Sequence, residues 1–198
     1  MSHEKRSYRM QLRAESEAQT RRRITESAVE LHGTLGPSRS SISAIAEQAG
    51  VRRSTVYRHF PDEAALFAAC TAHWQAANPL PDLTSWSAIE DVNDRLRTAL
   101  RELYAHYRHT ESMMTNIHRD QSSMPIVKKM MADYRTYLAD ARRTLMAGRK
   151  LAPFQRRLVR AAIAHALSFP AWRSLAVEEQ LKDSECADLM CRLVAGAA

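Results

Sequence analysis

Apolar residues along this chain recur every three or four positions, the period of one face of an α-helix. Ile24, Ala28, Leu31 and Leu35 form the first stripe. Ser16 and Gln19 make an S-x-x-Q capping box that opens it, and Gly36-Pro37 closes it. A serine-rich link, Ser38 to Ser41, leads to a short helix over 42–48. Ala49-Gly50-Val51 is a tight turn, and a second short helix over 52–60 stops at Pro61. Leu66, Phe67, Cys70 and Trp74 mark a fourth helix that ends before Pro79. The segment ahead of Ser16 is polar and mixed in charge, which predicts a frayed start.

Two prolines, Pro79 and Pro81, place a domain boundary there. The chain divides into a flexible arm (1–19), a small head (20–78) and a larger helical domain (79–198). In that larger part Ser87 and Glu90 form a capping box ahead of Leu96, Leu100, Leu103 and Tyr107. Pro125 suits the first turn of a helix bearing Val127, Met131, Tyr134, Leu138, Ala141 and Leu145, with Gly148 as its stop. Pro153 opens another helix, in which Pro170 predicts a kink or break. Ser184 begins the last helix, carrying Ala187, Met190, Leu193 and Val194.

Composition agrees with this pattern. Ala and Leu number 49 against 15 Ile and Val, a balance that favours helices over strands. The fold class is therefore all-α. A chain of 198 residues easily closes a buried core. The longest stretch without Asp, Glu, Lys or Arg, Ala64 to Pro81, contains His73, Gln75, Asn78 and two prolines. It is too polar to span a bilayer. The first twenty residues lack an apolar run, so no secretory signal is visible and a cytoplasmic location is expected. Cys70, Cys186 and Cys191 are odd in number and lack a CxxC, which suits core residues rather than disulfides or zinc. Glu102, His106 and His109 share a helix face but lack a clear fourth ligand, so no metal and no cofactor are expected. No nucleophile stands at a recognisable spacing from His118 or His165, and the chain does not read as an enzyme.

Charge is uneven. Residues 1–60 carry 11 Lys and Arg against 6 Asp and Glu, whereas the remainder is nearly balanced. This asymmetry suits contact with a polyanion and equally suits a solvated basic surface. The stretch Ser41 to Phe60, SISAIAEQAGVRRSTVYRHF, narrows the choice. Two short helices joined at Gly50 fit a helix-turn-helix. Ile45, Ala46, Val51, Val56 and Phe60 are apolar where the helices must pack. Arg52, Arg53, Ser54, Thr55, Tyr57, Arg58 and His59 face outward and offer groups that bind phosphates and base edges.

The pattern I-A-x-x-A-G-V-x-x-x-T-V-Y-x-x-F, followed by Pro61 and Leu66, resembles the DNA-binding head of the tetracycline-repressor (TetR) family. The preceding helix, Arg21 to Gly36, is similar to that family's first helix. The resemblance implies a homodimeric, sequence-specific transcriptional regulator, most simply a repressor released from a palindromic double-stranded operator by a small, largely apolar effector. By position it implies that Ser41, Thr55, Tyr57 and His59 meet phosphates, and that Ser43, Arg53 and Ser54 reach base edges. Arg52 stands where the family commonly has a capping Ser, and the resemblance implies a phosphate contact for it instead. His32 replaces a frequent aromatic, and Glu63 replaces a frequent Lys.

Beyond the head the residues are less telling. The methionines Met113, Met114, Met124, Met130 and Met131 cluster, and thioethers suit either an irregular core or an adaptable pocket. Trp86, Tyr107, Ile117, Tyr134, Phe169 and Trp172 complete a candidate pocket lining with Met113, Met114 and Met131. By resemblance, the helices bearing Phe154, Leu158, Ala162, His165, Ala166 and Phe169, and Met190 and Leu193, supply the dimer interface. The other reading is a DNA-binding dimer without an effector, its bundle serving dimerisation or a protein partner.

Overall fold

The computed structural model describes residues 2–198, with side chains from Arg6 onward. Ten α-helices account for the regular structure of these residues, joined by a 3-10 turn at Pro37–Arg39 and a π-helical turn at Ser174–Glu178. The chain forms two compact units. One comprises residues 1–77 with 115–127, and the other residues 78–114 with 128–198. Residues 115–127 thus join the head, although they lie far along the sequence in what the prolines marked as the second domain.

The first unit holds α1 (Ser2–Thr34), α2 (Ile42–Gln48), α3 (Arg53–His59) and α4 (Glu63–Ala77). Its core gathers Ile24, Ala28, Ile45, Ala46, Val56, Phe60, Leu66 and Cys70, the apolar positions that periodicity selected. Ser16 does not open the first helix as its capping box suggested. Helix α1 begins at Ser2 and passes straight through it. Ser41 caps α2, its hydroxyl accepting from the Ala44 N–H at 3.1 Å. Asp62 does the same for α4, accepting from Ala65 N at 2.7 Å.

The end of α1 is closed by the last turn of α6 (Val92–Asp120). Asn116 Nδ2 donates to the carbonyls of His32 and Gly33 at 3.1 and 2.8 Å. Arg119 Nη2 donates to Leu35 O at 2.9 Å, and Asp120 Oδ2 accepts from Ser38 N at 2.9 Å. Carbonyls that a helix terminus leaves without partners are thereby satisfied from a distant part of the sequence. Gly36, with φ of 95°, lets the chain turn beneath these side chains, and a Cβ there would collide with the Arg119 guanidinium.

The second unit contains α5 (Leu83–Ser87), most of α6, α7 (Pro125–Met146), α8 (Pro153–Ala166), α9 (Phe169–Arg173) and α10 (Asp183–Gly196). The capping box read at Ser87 and Glu90 is not used. Ser87 ends α5, and Asp91 caps α6 by accepting from the N–H groups of Asn93 and Asp94 at 2.8 and 2.9 Å. Pro125, Gly148 and Pro153 stand where the sequence placed starts and stops, Gly148 at φ 79°. Pro170 falls in the first turn of α9, which Ser168 caps, so the break comes at Leu167 and Ser168 ahead of the proline. The core is aromatic. Trp86, Tyr104, Tyr107, Phe169 and Trp172 are almost wholly buried. Arg95 is buried as well, because its guanidinium donates to the carbonyls of Ile89, Glu90, Thr144 and Ala147.

Candidate nucleic-acid interface

The turn between α2 and α3 is made by Gly50, whose φ of 64° lies in the left-handed region that a side chain disfavours. Val51 N bonds back to Ala46 O at 2.9 Å, which holds α3 at a fixed angle. Val56 and Phe60 sink into the core, so the opposite face of α3 turns outward. Arg52, Arg53, Ser54, Tyr57 and Arg58 are exposed, and Thr55 and His59 are half-buried. Arg52 occupies the N-cap of α3 without a side-chain cap bond, as its chemistry dictates.

Arg53 and Tyr57 act as a pair. Arg53 Nη2 donates to the Tyr57 hydroxyl at 3.1 Å, and its guanidinium lies over the ring at 5.5 Å from the centroid. The contact is exposed and weak, but it orients a bidentate donor along the outward face. Ser41 and Ser43 at the start of α2 are also exposed. Ser41 uses one lone pair on the cap and keeps its hydroxyl proton to give.

His59 differs from the rest. Its Nε2 is closed off and meets no hydrogen-bond partner among the described residues, so only Nδ1 is left for an outside contact. Burial, then the neighbouring Arg58 and Arg21, hold the imidazole below its ordinary pKa, while Glu17 opposes them. The backbone carbonyl of His59 accepts from Arg21, whose guanidinium also covers the Phe60 ring at 4.1 Å. Arg21 therefore ties α1 to the end of α3, a role that a basic run in the sequence does not reveal. His32 does the work of the aromatic it replaces. It is buried and stacks on Phe67 at 4.9 Å with 20° between the rings. Glu63 begins α4, exposed, in the first turn, where its carboxylate suits the positive end of the helix.

In the second unit the candidate pocket residues separate. Tyr107, Phe169 and Trp172 pack on one another at centroid distances of 5.4 to 5.7 Å. The Tyr107 hydroxyl meets that of Tyr134 at 2.6 Å and donates to Leu167 O at 2.6 Å. Trp86 donates to Glu102 at 2.6 Å, which takes that carboxylate out of the Glu102, His106 and His109 set. Among the described residues no three His, Cys, Asp or Glu side chains converge as metal ligands. Met114 and Met131 are buried and Met113 is half-buried, whereas Ile117 belongs to the first unit.

The expected interface residues divide too. Phe154, Leu158, His165 and Leu193 are exposed and Ala162 is half-buried. Ala166, Phe169 and Met190 are instead closed inside their own unit, because α8 turns that side toward the aromatic core. Leu189, not anticipated, joins Leu193 on the exposed side of α10.

This arrangement is that of a helix-turn-helix DNA-binding protein with a second, all-helical unit. Residues 24–70 match the model of bacterial regulatory proteins of the tetR family, which covers the helix-turn-helix and its supporting helices. No curated protein matches the chain significantly. Solved structures do. A TetR-family transcriptional regulator of Mesorhizobium loti is 18% identical over 91% of this chain and 96% of its own, with a TM-score of 0.62. FadR of Bacillus subtilis, in complex with stearoyl-CoA, is 17% identical over 89% and 98%, with a TM-score of 0.63. A TetR-like regulator of Rhodococcus sp. RHA1 is 17% identical over 89% and 93%, also at 0.63. Residues 24–70 are thus similar to the DNA-binding head of that family, and the chain as a whole shares its fold with these solved regulators. No helix of the described residues is long and apolar enough to cross a membrane.

Proposed function

We propose that the protein is a homodimeric repressor that binds a palindromic operator through α3 and is released by a small, largely apolar ligand held in the second unit. The observation that carries this reading is the outward face of α3, where cations, hydroxyls and a phenol stand over an apolar packing face. Ser41, Arg52, Thr55, Tyr57 and His59 serve the phosphates, and Ser43, Arg53 and Ser54 serve base edges. The dimer is supported by Phe154, Leu158, Leu189 and Leu193, large apolar residues exposed on α8 and α10. The ligand is supported by the aromatic interior and by FadR of Bacillus subtilis, which carries stearoyl-CoA on a similar fold. In this chain Tyr107, Phe169 and Trp172 fill the interior against one another, so a ligand enters by parting them. The protein then acts in the cytoplasm, without a cofactor and without catalysis.

Selection of bound duplexes from a random library tests the reading. A two-fold symmetric motif is expected. Arg53→Ala should relax preference at one base pair of each half-site, by about 1–3 kcal/mol for the bidentate pair it removes. Tyr57→Phe should weaken all sequences, and it should relax preference at the Arg53 base pair less than Arg53→Ala does, because it removes only the hydroxyl that orients that guanidinium. Equal weakening on operator and random DNA for Arg53→Ala would restrict that residue to the backbone.

A further inference from the structure

Helix α1 continues well beyond the head that it supports. From Arg6 to Gln19 every residue is exposed, Tyr8, Met10 and Leu12 included. Yet its faces are not alike. Arg6, Arg9 and Arg13 fall on one stripe, and no acidic residue lies between Arg6 and Ala14. At about 3.6 residues per turn, Arg6 is five turns ahead of Ile24 and Arg13 is three turns ahead. Ile24 is wholly buried in the core that α1 shares with α2, α3 and α4, so the arginine stripe prolongs the packed side of α1. The intervening turns bear this out. Glu17 and Arg21, on the same side, both act electrostatically on His59 at the end of α3. Arg13 is one turn beyond Glu17.

Among the described residues none of the three arginines has an ion-pair partner. Arg9 and Arg13 stand at i, i+4, a like-charge spacing that opposes the helix. A helical extension without tertiary packing is marginal by itself. Both costs are lifted by a line of phosphates alongside the stripe.

We propose that Arg6, Arg9 and Arg13 form a second DNA contact, a cationic stripe that binds the phosphate backbone of duplex flanking the segment read by α3. The stripe reaches about 16 Å beyond Glu17 along the helix axis, at roughly 1.5 Å per residue, which carries it past the recognition helix onto neighbouring DNA. The contact is sequence-independent, since the stripe offers only guanidinium charge to an exposed backbone. This inference rests on DNA binding by α3.

The test compares full-length protein with the triple variant Arg6→Gln, Arg9→Gln, Arg13→Gln, on the selected operator with long flanks and on the same operator trimmed to its half-sites. On the long duplex the variant should bind about tenfold more weakly at moderate salt. Its plot of log K against log salt should be shallower by up to about 0.9 for each phosphate that the stripe neutralises in the wild type. On the trimmed duplex the two proteins should converge. Melting temperature should not fall, because the three side chains pack against nothing and the Arg9–Arg13 repulsion is relieved. Unchanged affinity and slope on the long duplex would overturn the inference, as would equal weakening on both duplexes. If wild-type protein selects no motif and Arg53→Ala has no effect, the fault lies with the α3 reading instead.

Discussion

At the residue scale the chemistry of His32 is set by what surrounds it. Desolvation lowers its pKa from 6.5 to about 4, and the nearby Asp120 carboxylate only partly offsets this. The folded head thus holds His32 neutral, whereas the unfolded chain protonates it near 6.5. Between those values the unfolded state binds more protons, so stability rises with pH. The contribution is complete above 6.5 and is lost as pH falls toward 4. A shift of this size corresponds to about 3 kcal/mol at 1.36 kcal/mol per pH unit. Denaturant melts of the wild type should therefore weaken markedly from pH 7 to pH 4.5. His32→Phe, which keeps the stack on Phe67 without a titrating nitrogen, should weaken less over the same range. Parallel pH profiles for the two proteins would show that His32 is not the group responsible.

At the scale of elements, the end of α1 depends on side chains more than eighty positions away. Gly36 lies beneath Arg119 and Asp120 with φ of 95°, while Gly148 has φ of 79° and open surroundings, a Cβ there meeting Val92 at an ordinary 3.6 Å. Both glycines answer to backbone conformation, but only Gly36 is also closed in by its neighbours. Gly36→Ala should destabilise the protein by roughly 2–4 kcal/mol, from left-handed strain and displacement of the guanidinium together. Gly148→Ala should cost about 1 kcal/mol from strain alone. Thermal melts rank the two, and equal destabilisation would mean that Arg119 gives way freely. The run His118-Arg119-Asp120, in which the sequence shows a histidine without a nucleophile, is explained by this placement: Arg119 and Asp120 bind the backbone at the end of α1.

For the whole molecule, the proposed dimer turns on the exposed faces of α8 and α10. Phe154 and Leu158 are one turn apart, as are Leu189 and Leu193, and all four are exposed. Leu158→Glu with Leu193→Glu should leave helical content intact and give monomers in sedimentation, with operator affinity reduced to that of a single half-site. Ala166→Glu should behave differently. Ala166 is wholly buried and its carbonyl accepts from Tyr104 Oη at 2.8 Å, so a carboxylate there enters the core and should prevent folding. A soluble dimer of the Leu158 and Leu193 variant would move the interface elsewhere.

Much of this was legible in one dimension. Helical periodicity, Gly50 in its turn, Pro125 and Pro153 at helix starts and the outward polar set of α3 all express local rules, because hydrogen bonds within four residues and a 3.6-residue period act on neighbours in sequence. The helix-turn-helix was readable for the same reason, being short and closed on itself. What the sequence did not reveal depends on packing across long separations. Two capping boxes at Ser16 and Ser87 matched their pattern, yet α1 runs through the first as exposed helix and Asp91 takes the start of α6. Asn116, Arg119 and Asp120 look like helix surface until α6 meets the end of α1. Arg95 looks solvated until the carbonyls of Ile89, Glu90, Thr144 and Ala147 surround it. Ala166 and Leu158 both suit an apolar helix face, and eight residues apart they differ in role because only packing decides which side of α8 meets the aromatic core. Local pattern sets which segments become helices and which residues share a face. Tertiary structure alone chooses the neighbour each face receives, since that choice rests on the summed burial and hydrogen bonding of residues far apart in the chain.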